Sequence, residues 1–224
     1  IAEGFWSDGA YEDCARAFSQ LADKSTKSDL KVAARFRAAR CFERARSFKD
    51  AKRVYQGLTS HKVMGPLAML RLAVVLHELG EAKAAIDLLT HSDLQKDPAL
   101  SKRAHTFHAR VLEAAKKNKE LVDVFKSSTS SDIQMKVAMA RLELGDTYGA
   151  KQSLRKIFVE NTRKKLGRKA RAELAKLSPK CFSEAIESPP CLEAHEMLSM
   201  AAAHFRAHAS KVLVAFLGPL LKTK

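Results

Sequence analysis

The chain has 224 residues, 46% hydrophobic and 29% charged, and its 40 Lys and Arg against 25 Asp and Glu leave a formal charge of +15. It contains no apolar run of 18 or more residues, which excludes a membrane-spanning helix. Ala, Leu, Lys and Arg dominate, six Pro and nine Gly interrupt them, and β-branched runs with period-two alternation are absent, so an all-α protein is expected.

In chain order, the first patterned stretch is GAYEDCARAFSQL at 9–21, with Gly9 and Tyr11 at a turn, Cys14 in a small-residue slot, and Phe18 and Leu21 at helical spacing. Residues 28–58 follow, reading as two antiparallel helices joined by a tight turn at Arg46. Ala39 and Phe42 lie on the first helix, and Phe48, Ala51, Tyr55 and Leu58 on the second. The pattern returns with Ala73, Leu76, Gly80, Ala82, Ala85 and Leu89, then in degenerate form with Ala109, Leu112, Leu121 and Phe125. It returns again with Ala138, Gly145, Thr147, Ala150, Leu154 and Ile157. Ala51 to Ala85 is 34 residues, and Ala85 to Ala150 is 65, close to two such periods. Short polar loops are expected at Ala22–Asp29, Thr59–Gly65, Ser92–Ala99 and Ser127–Asp132, the last with Asp132 placed to cap the next helix. Beyond Ile157 the register weakens. Asn161–Leu177 reads as one basic helix and Ser178–Cys191 as a loop bearing Pro189 and Pro190. Leu192–Lys222 reads as a final pair with Ala203, His208, Val212 and Phe216 near the expected slots, kinked at Gly218–Pro219.

A turn glycine, a small residue after it and a large residue four positions on, repeated every 34 residues, resembles the tetratricopeptide repeat. Each helix pair has a face it cannot bury alone, so the next pair must stack on it and the period must be kept. The resemblance implies a right-handed α-solenoid of about five to six helix pairs in a single domain over 1–224. The repeats are clearest at 1–91 and 131–158 and divergent over 159–224. It also implies a concave groove lined by the first helix of each repeat, where peptides lie. By position that groove takes Phe36, Arg37, Arg40, Glu43 and Arg44, then Leu70, Val74 and His77, then Arg103, Arg110 and Glu113. Arg37, Arg40 and Arg44 recur at helical spacing, so their guanidiniums would share a face suited to bidentate recognition of carboxylates or phosphates. The plainer alternative is that some of them pair with Glu43 or Asp50 on neighbouring turns.

The charge excess points to an anionic partner, or to a solvating coat on the outer helices. The segment 151–171 holds nine basic residues and one acid, Glu160. Arg163, Lys164, Lys165, Arg168 and Lys169 would form a positive helix surface, with almost no interleaved aromatics to stack bases, so a solvated face competes with a polyanion track. His105 with His108, and His204 with His208, are helically spaced pairs without an adjacent carboxylate or cysteine set, and no metal or other cofactor is expected. Cys14 and Cys41 fall on core-like positions where cysteine acts as a small apolar residue. Cys181 and Cys191 bracket the proline loop, where a disulfide is weighed against two free thiols; a bridge would require an oxidising compartment. Ile1 in place of Met reads as a processed or trimmed product, compatible with export.

The early stretch FWSDGAYEDCARAFSQL and the closing AAAHFRAHASKVLVAFLGPLL also resemble helical-repeat proteins of the bacterial envelope. Among these is the superhelix that precedes the catalytic domain of soluble lytic transglycosylases. That family's catalytic Glu-Ser and Gly-Leu-Met-Gln run are missing, since Glu187-Ser188 leads into Pro189 and Pro190, which cannot continue a helix. P-loop, GxGxxG, GxSxG and HExxH sequences are likewise missing, so no catalytic residue is assigned. The leading expectation is a non-enzymatic scaffold holding a protein or peptide partner with acidic groups. Behind it stand an accessory domain of a peptidoglycan-cleaving enzyme and a nucleic-acid-binding repeat protein. The envelope resemblance favours a periplasmic or exported location over a cytoplasmic one.

Overall fold

The structure is a computed structural model that describes residues 2–162, 164–182 and 191–205, with side chains followed as far as Ala202. Among the described residues every regular element is a helix. The chain divides into two compact units, one ending at Ala115 and the other starting at Lys116, and each is described by itself.

The first unit contains α1 (Ala2–Ser7), α2 (Tyr11–Lys24), α3 (Ser28–Arg44), α4 (Phe48–Gln56), α5 (Gly65–Glu78), α6 (Ala82–Leu89), α7 (Ser92–Gln95) and α8 (Pro98–Ala114). Helices adjacent in sequence pack in series from α1 to α6, and α8 then covers α5 and α6. The second unit contains α9 (Asn118–Phe125), α10 (Ser131–Glu143), α11 (Thr147–Glu160), α12 (Lys165–Leu177), α13 (Pro179–Phe182) and α14 (Ala194–Phe205). Here α9 to α12 pack in series and α14 returns onto α11. All-helical architecture built from serially stacked pairs is what the tetratricopeptide resemblance implied.

Two sequence features generate the repeat. The small-residue slots are where helices touch: Ala39, Ala51, Ala73, Ala85, Ala109, Ala138 and Ala150 are all fully buried, because a larger side chain would hold the backbones apart. The turn between paired helices is set by one left-handed residue. Gly9, Arg46, Gly80 and Gly145 have φ of 76, 60, 79 and 82°, and Lys116, ahead of α9, has 54°. At Gly9, Arg46, Gly80 and Gly145 the turn closes as a Schellman motif. The next amide, of Ala10, Ser47, Glu81 and Asp146, donates back to the carbonyl of Phe5, Phe42, Leu76 and Arg141 at 2.8–2.9 Å.

Several local expectations change. Ser92–Ala99 is not simply a loop, because Ser92–Gln95 forms α7, whose Leu94 is fully buried. Asp132 does not cap α10: Ser130 stands at that position and Asp132 lies in the first turn. Asn161 does not open the basic helix but ends α11. It is nearly buried, its side-chain amide donating to Ile157 O and Ser131 Oγ at 3.1 Å. The basic helix begins four residues later, so tightly against this turn that a Cβ at Gly167 would lie 2.0 Å from Asn161 O. Of the expected final pair, α14 is described through Phe205. His208, Val212, Phe216 and Gly218–Pro219 lie outside the described residues, as does Glu187–Pro190.

Cys14 and Cys41 are not free apolar residues. They fall on packed faces of α2 and α3, with Cα atoms 5.8 Å apart, and form a disulfide in a core with Ala15, Phe18 and Ala38. Cys181 and Cys191 are also bonded, across Cα atoms 5.4 Å apart. That bridge holds Phe182 and Leu192 in the core built by α11, α12 and α14, with the Phe182 ring edge-on to Phe158 at 6.2 Å.

Candidate ligand-binding face

In the first unit the first helices of two successive pairs, α3 and α5, bring arginines to one acid, Glu43. The Glu43 carboxylate accepts two hydrogen bonds from Arg71, one from Nε at 3.1 Å and one from a terminal nitrogen, and a third from the Tyr55 hydroxyl at 3.1 Å. Arg40 Nε lies 3.8 Å from the same carboxylate, too far to donate, and this buried nitrogen has no hydrogen-bond partner. Arg71 is pulled down to about 10 by burial first and then by the neighbouring Arg40 and Arg103. Two guanidiniums, of Arg40 and Arg71, therefore share one negative charge. Tyr55, fully buried and edge-on to Phe36 at 5.6 Å, is pushed above the ordinary phenol range by that burial.

Beside this cluster the same face of α3 meets α1. Arg40 and Arg44 stand over the Trp6 ring at 5.9 and 5.7 Å, and Arg37 pairs with Glu3 and stands over Phe18 at 5.6 Å. Trp6, Phe18, Phe36, Arg37 and Arg40 line a cleft of about 490 Å³. The shared face expected for Arg37, Arg40 and Arg44 is present, and Arg40 does approach Glu43, whereas Asp50 pairs with Arg53 at 3.0 Å.

The other positions carried over from the groove separate. Leu70 is a core residue, 3% exposed, and is corrected accordingly: it packs between helices and offers nothing to a ligand. Val74 is half-buried, and His77 packs edge-on against Phe107 at 5.6 Å. Arg103, Arg110 and Glu113 are exposed along α8, spaced so that Arg103 and Arg110 fall two turns apart on one side. The sequence reading missed Arg71 and Trp6. Arg71 lies 28 residues from the acid it binds, and the serial packing of α3, α4 and α5 joins them.

In the second unit, Lys164, Lys165, Arg168 and Lys169 are exposed at the start of α12, and none makes an ion pair among the described residues; Arg163 lies outside them. A different polar cluster ties α14 down: Arg155 grips Glu196 with Nε at 2.7 Å and a terminal nitrogen at 2.5 Å. Burial alone would raise the Glu196 pKa, but the hydrogen bonds from Arg155 and from the Glu193 amide outweigh it and hold the carboxyl below its usual range. Among the described residues no group of three or more His, Cys, Asp or Glu could hold a metal ion. His105 is exposed and His108 buried, and so they do not present a common pair of ligands. No helix among the described residues is long and apolar enough to cross a membrane.

No family model matches the chain, and no curated protein is similar to it. Among solved structures it is similar to a putative kinesin light chain from Podosopora anserina with nearly identical TPR-like repeats. The identity is 15%, the match covers 100% of this chain and 93% of that one, and the TM-score is 0.37. A point variant of that protein gives 14% identity, coverage of 99% and 93%, and the same TM-score of 0.37. At that level of superposition, the functional argument rests on the chain's own helices.

Proposed function

We propose that the chain is a non-enzymatic helical-repeat scaffold that holds a protein or peptide partner bearing acidic groups against the arginine face of its first unit. The observation that carries this reading is the imbalance at Glu43, where Arg40 and Arg71 from two helices share one carboxylate. Guanidiniums held by packing lose little further freedom on binding, and a partner's carboxylates would complete their pairing. The Trp6 cleft beside them adds apolar surface for a neighbouring side chain. A labelled polyglutamate peptide tests the reading. Saturable binding that falls at least tenfold on combined Arg40→Glu and Arg44→Glu supports it; equal binding by parent and variant overturns it.

The closure of both cysteine pairs favours a second, compatible proposal about place. A chain without a free thiol suits an oxidising compartment, and so an exported or periplasmic protein. In that setting the accessory-superhelix reading gains ground, and co-sedimentation with purified peptidoglycan would test it. The nucleic-acid reading has only the exposed lysines and arginine of α12 in its favour. It predicts binding to generic DNA that weakens steeply with salt and is lost on charge reversal at Lys165 and Arg168.

A further inference from the structure

We infer that the cleft lined from α1, α2 and α3 is a binding site for a small aromatic monocarboxylate, a molecule with one flat apolar body and one carboxylate. The inference does not depend on the scaffold reading and gives the cleft an occupant of its own. At about 490 Å³ the cleft has the size of a small-molecule site. Its apolar wall is aromatic: Trp6 and Phe36 are half-buried and Phe18 is buried. Arg37 and Arg40 stand over two of these rings, Phe18 and Trp6, at 5.6 and 5.9 Å. Rings and guanidiniums are both planar, and both favour a further flat group stacked or set edge-on against them.

The polar groups of the wall fix the other end of the ligand. Glu3 and Arg37 pair with each other, the Ser7 hydroxyl donates to Glu3 O at 3.1 Å, and Cys41 is tied to Cys14. Arg40 is left. Its Nε is buried without a hydrogen-bond partner, and the carboxylate 3.8 Å away, of Glu43, already takes two bonds from Arg71. Arg40 and Arg71 against Glu43 leave one positive charge in excess, and one carboxylate answers it. The planar guanidinium of Arg40 suits a planar carboxylate. Arg44, exposed and also over Trp6 at 5.7 Å, adds attraction for an anion. A peptide main chain drawn through the cleft would bring a donor and an acceptor at every residue. The wall has one side chain with its hydrogen-bonding capacity unspent, so a ligand with a single polar end fits it better.

The test titrates the full chain with phenylbutyrate, with phenylbutanol as the same body without the charge and butyrate as the same charge without a ring. Trp6, the only tryptophan, lines the cleft and reports occupancy by its emission. Phenylbutyrate should bind saturably, and phenylbutanol and butyrate should each bind about tenfold more weakly or worse. Arg40→Gln should bring phenylbutyrate and phenylbutanol to within about twofold of each other. Unchanged helical circular dichroism would show that this variant folds. Arg35→Gln, an equal charge change at an exposed position of the same helix, should leave the preference intact. Equal binding of phenylbutyrate and phenylbutanol by the parent would overturn the site, as would an Arg40→Gln variant that keeps the full preference. Saturable binding of polyglutamate without binding of phenylbutyrate would also overturn it, and would leave the scaffold reading standing. Binding of phenylbutyrate without binding of polyglutamate would support the site and count against the acidic-partner reading alone.

Discussion

Replacing Glu43 by Gln removes one charge and almost no volume, and the structure dictates a large effect. The carboxylate accepts from Arg71 twice and from Tyr55 once, and lies 3.8 Å from Arg40. Both Glu43 and Arg71 are mostly buried, with side chains 12% and 17% exposed. Breaking a buried ion pair from one side costs about 3–5 kcal/mol. Gln retains one oxygen for Arg71 or Tyr55, and the partial exposure softens the desolvated charge, so about 2–3 kcal/mol is expected for Glu43→Gln. In the Glu43→Gln background, Arg71→Gln should then cost under about 1 kcal/mol, because it removes the cation that had lost its partner. Urea unfolding followed by Trp6 emission is the appropriate assay. Trp6 belongs to the first unit, whereas circular dichroism averages over both, and a two-unit chain need not unfold in one step. A loss below about 0.5 kcal/mol for Glu43→Gln, or additive losses in the double variant, would refute the claim that this carboxylate organises the arginines.

Other outcomes follow from the same structure. Gly80→Ala and Gly145→Ala should each cost about 1–2 kcal/mol through the left-handed backbone alone, since a Cβ at either site meets no atom within 4 Å. The reverse change, Lys116→Gly, should gain about 0.5–1 kcal/mol by thermal unfolding, whereas Arg46→Gly should gain less because Arg46 stands over Phe48 at 5.9 Å. Cys14→Ser with Cys41→Ser should cost about 3.5 kcal/mol in the chain-entropy account, as the bridge spans 27 residues. A thiol titration of the unfolded, unreduced parent should find none. Glu196 is held below the ordinary carboxylate range, so the stability its pairing adds is present above that range and lost as pH falls through the lower folded value. Glu196→Gln should flatten the acid limb of a pH–stability curve in that range; an unchanged limb would sink the assignment.

The helix pairs were legible in the sequence because each depends on residues close together: a small residue at the crossing, a left-handed residue at the turn, and 34 positions to the next copy. Arg46 shows how far register carries, since it does not announce a turn by its own chemistry. The binding face was half legible. Spacing put Arg37, Arg40 and Arg44 on one side of α3, but Leu70 looked equally suitable and is core, because a first helix has two buried flanks in a stack. The Glu43–Arg71 pair and the Cys14–Cys41 bridge both depend on how one helix lies on another, which periodicity does not encode. Asn161 was misread as a helix start because its role, closing a turn against Gly167, depends on a backbone approach rather than on a pattern.

Both covalent links begin and end within one unit, Cys14 to Cys41 in the first and Cys181 to Cys191 in the second. Four thiols permit three ways of joining, and the native one is the arrangement in which neither half needs the other for its oxidation. Any wrongly joined molecule must therefore strap residues of the first unit to residues of the second. A single proteolytic nick near the boundary at Lys116 would tell the two apart on a non-reducing gel, with properly oxidised chains falling into two pieces and scrambled ones staying whole.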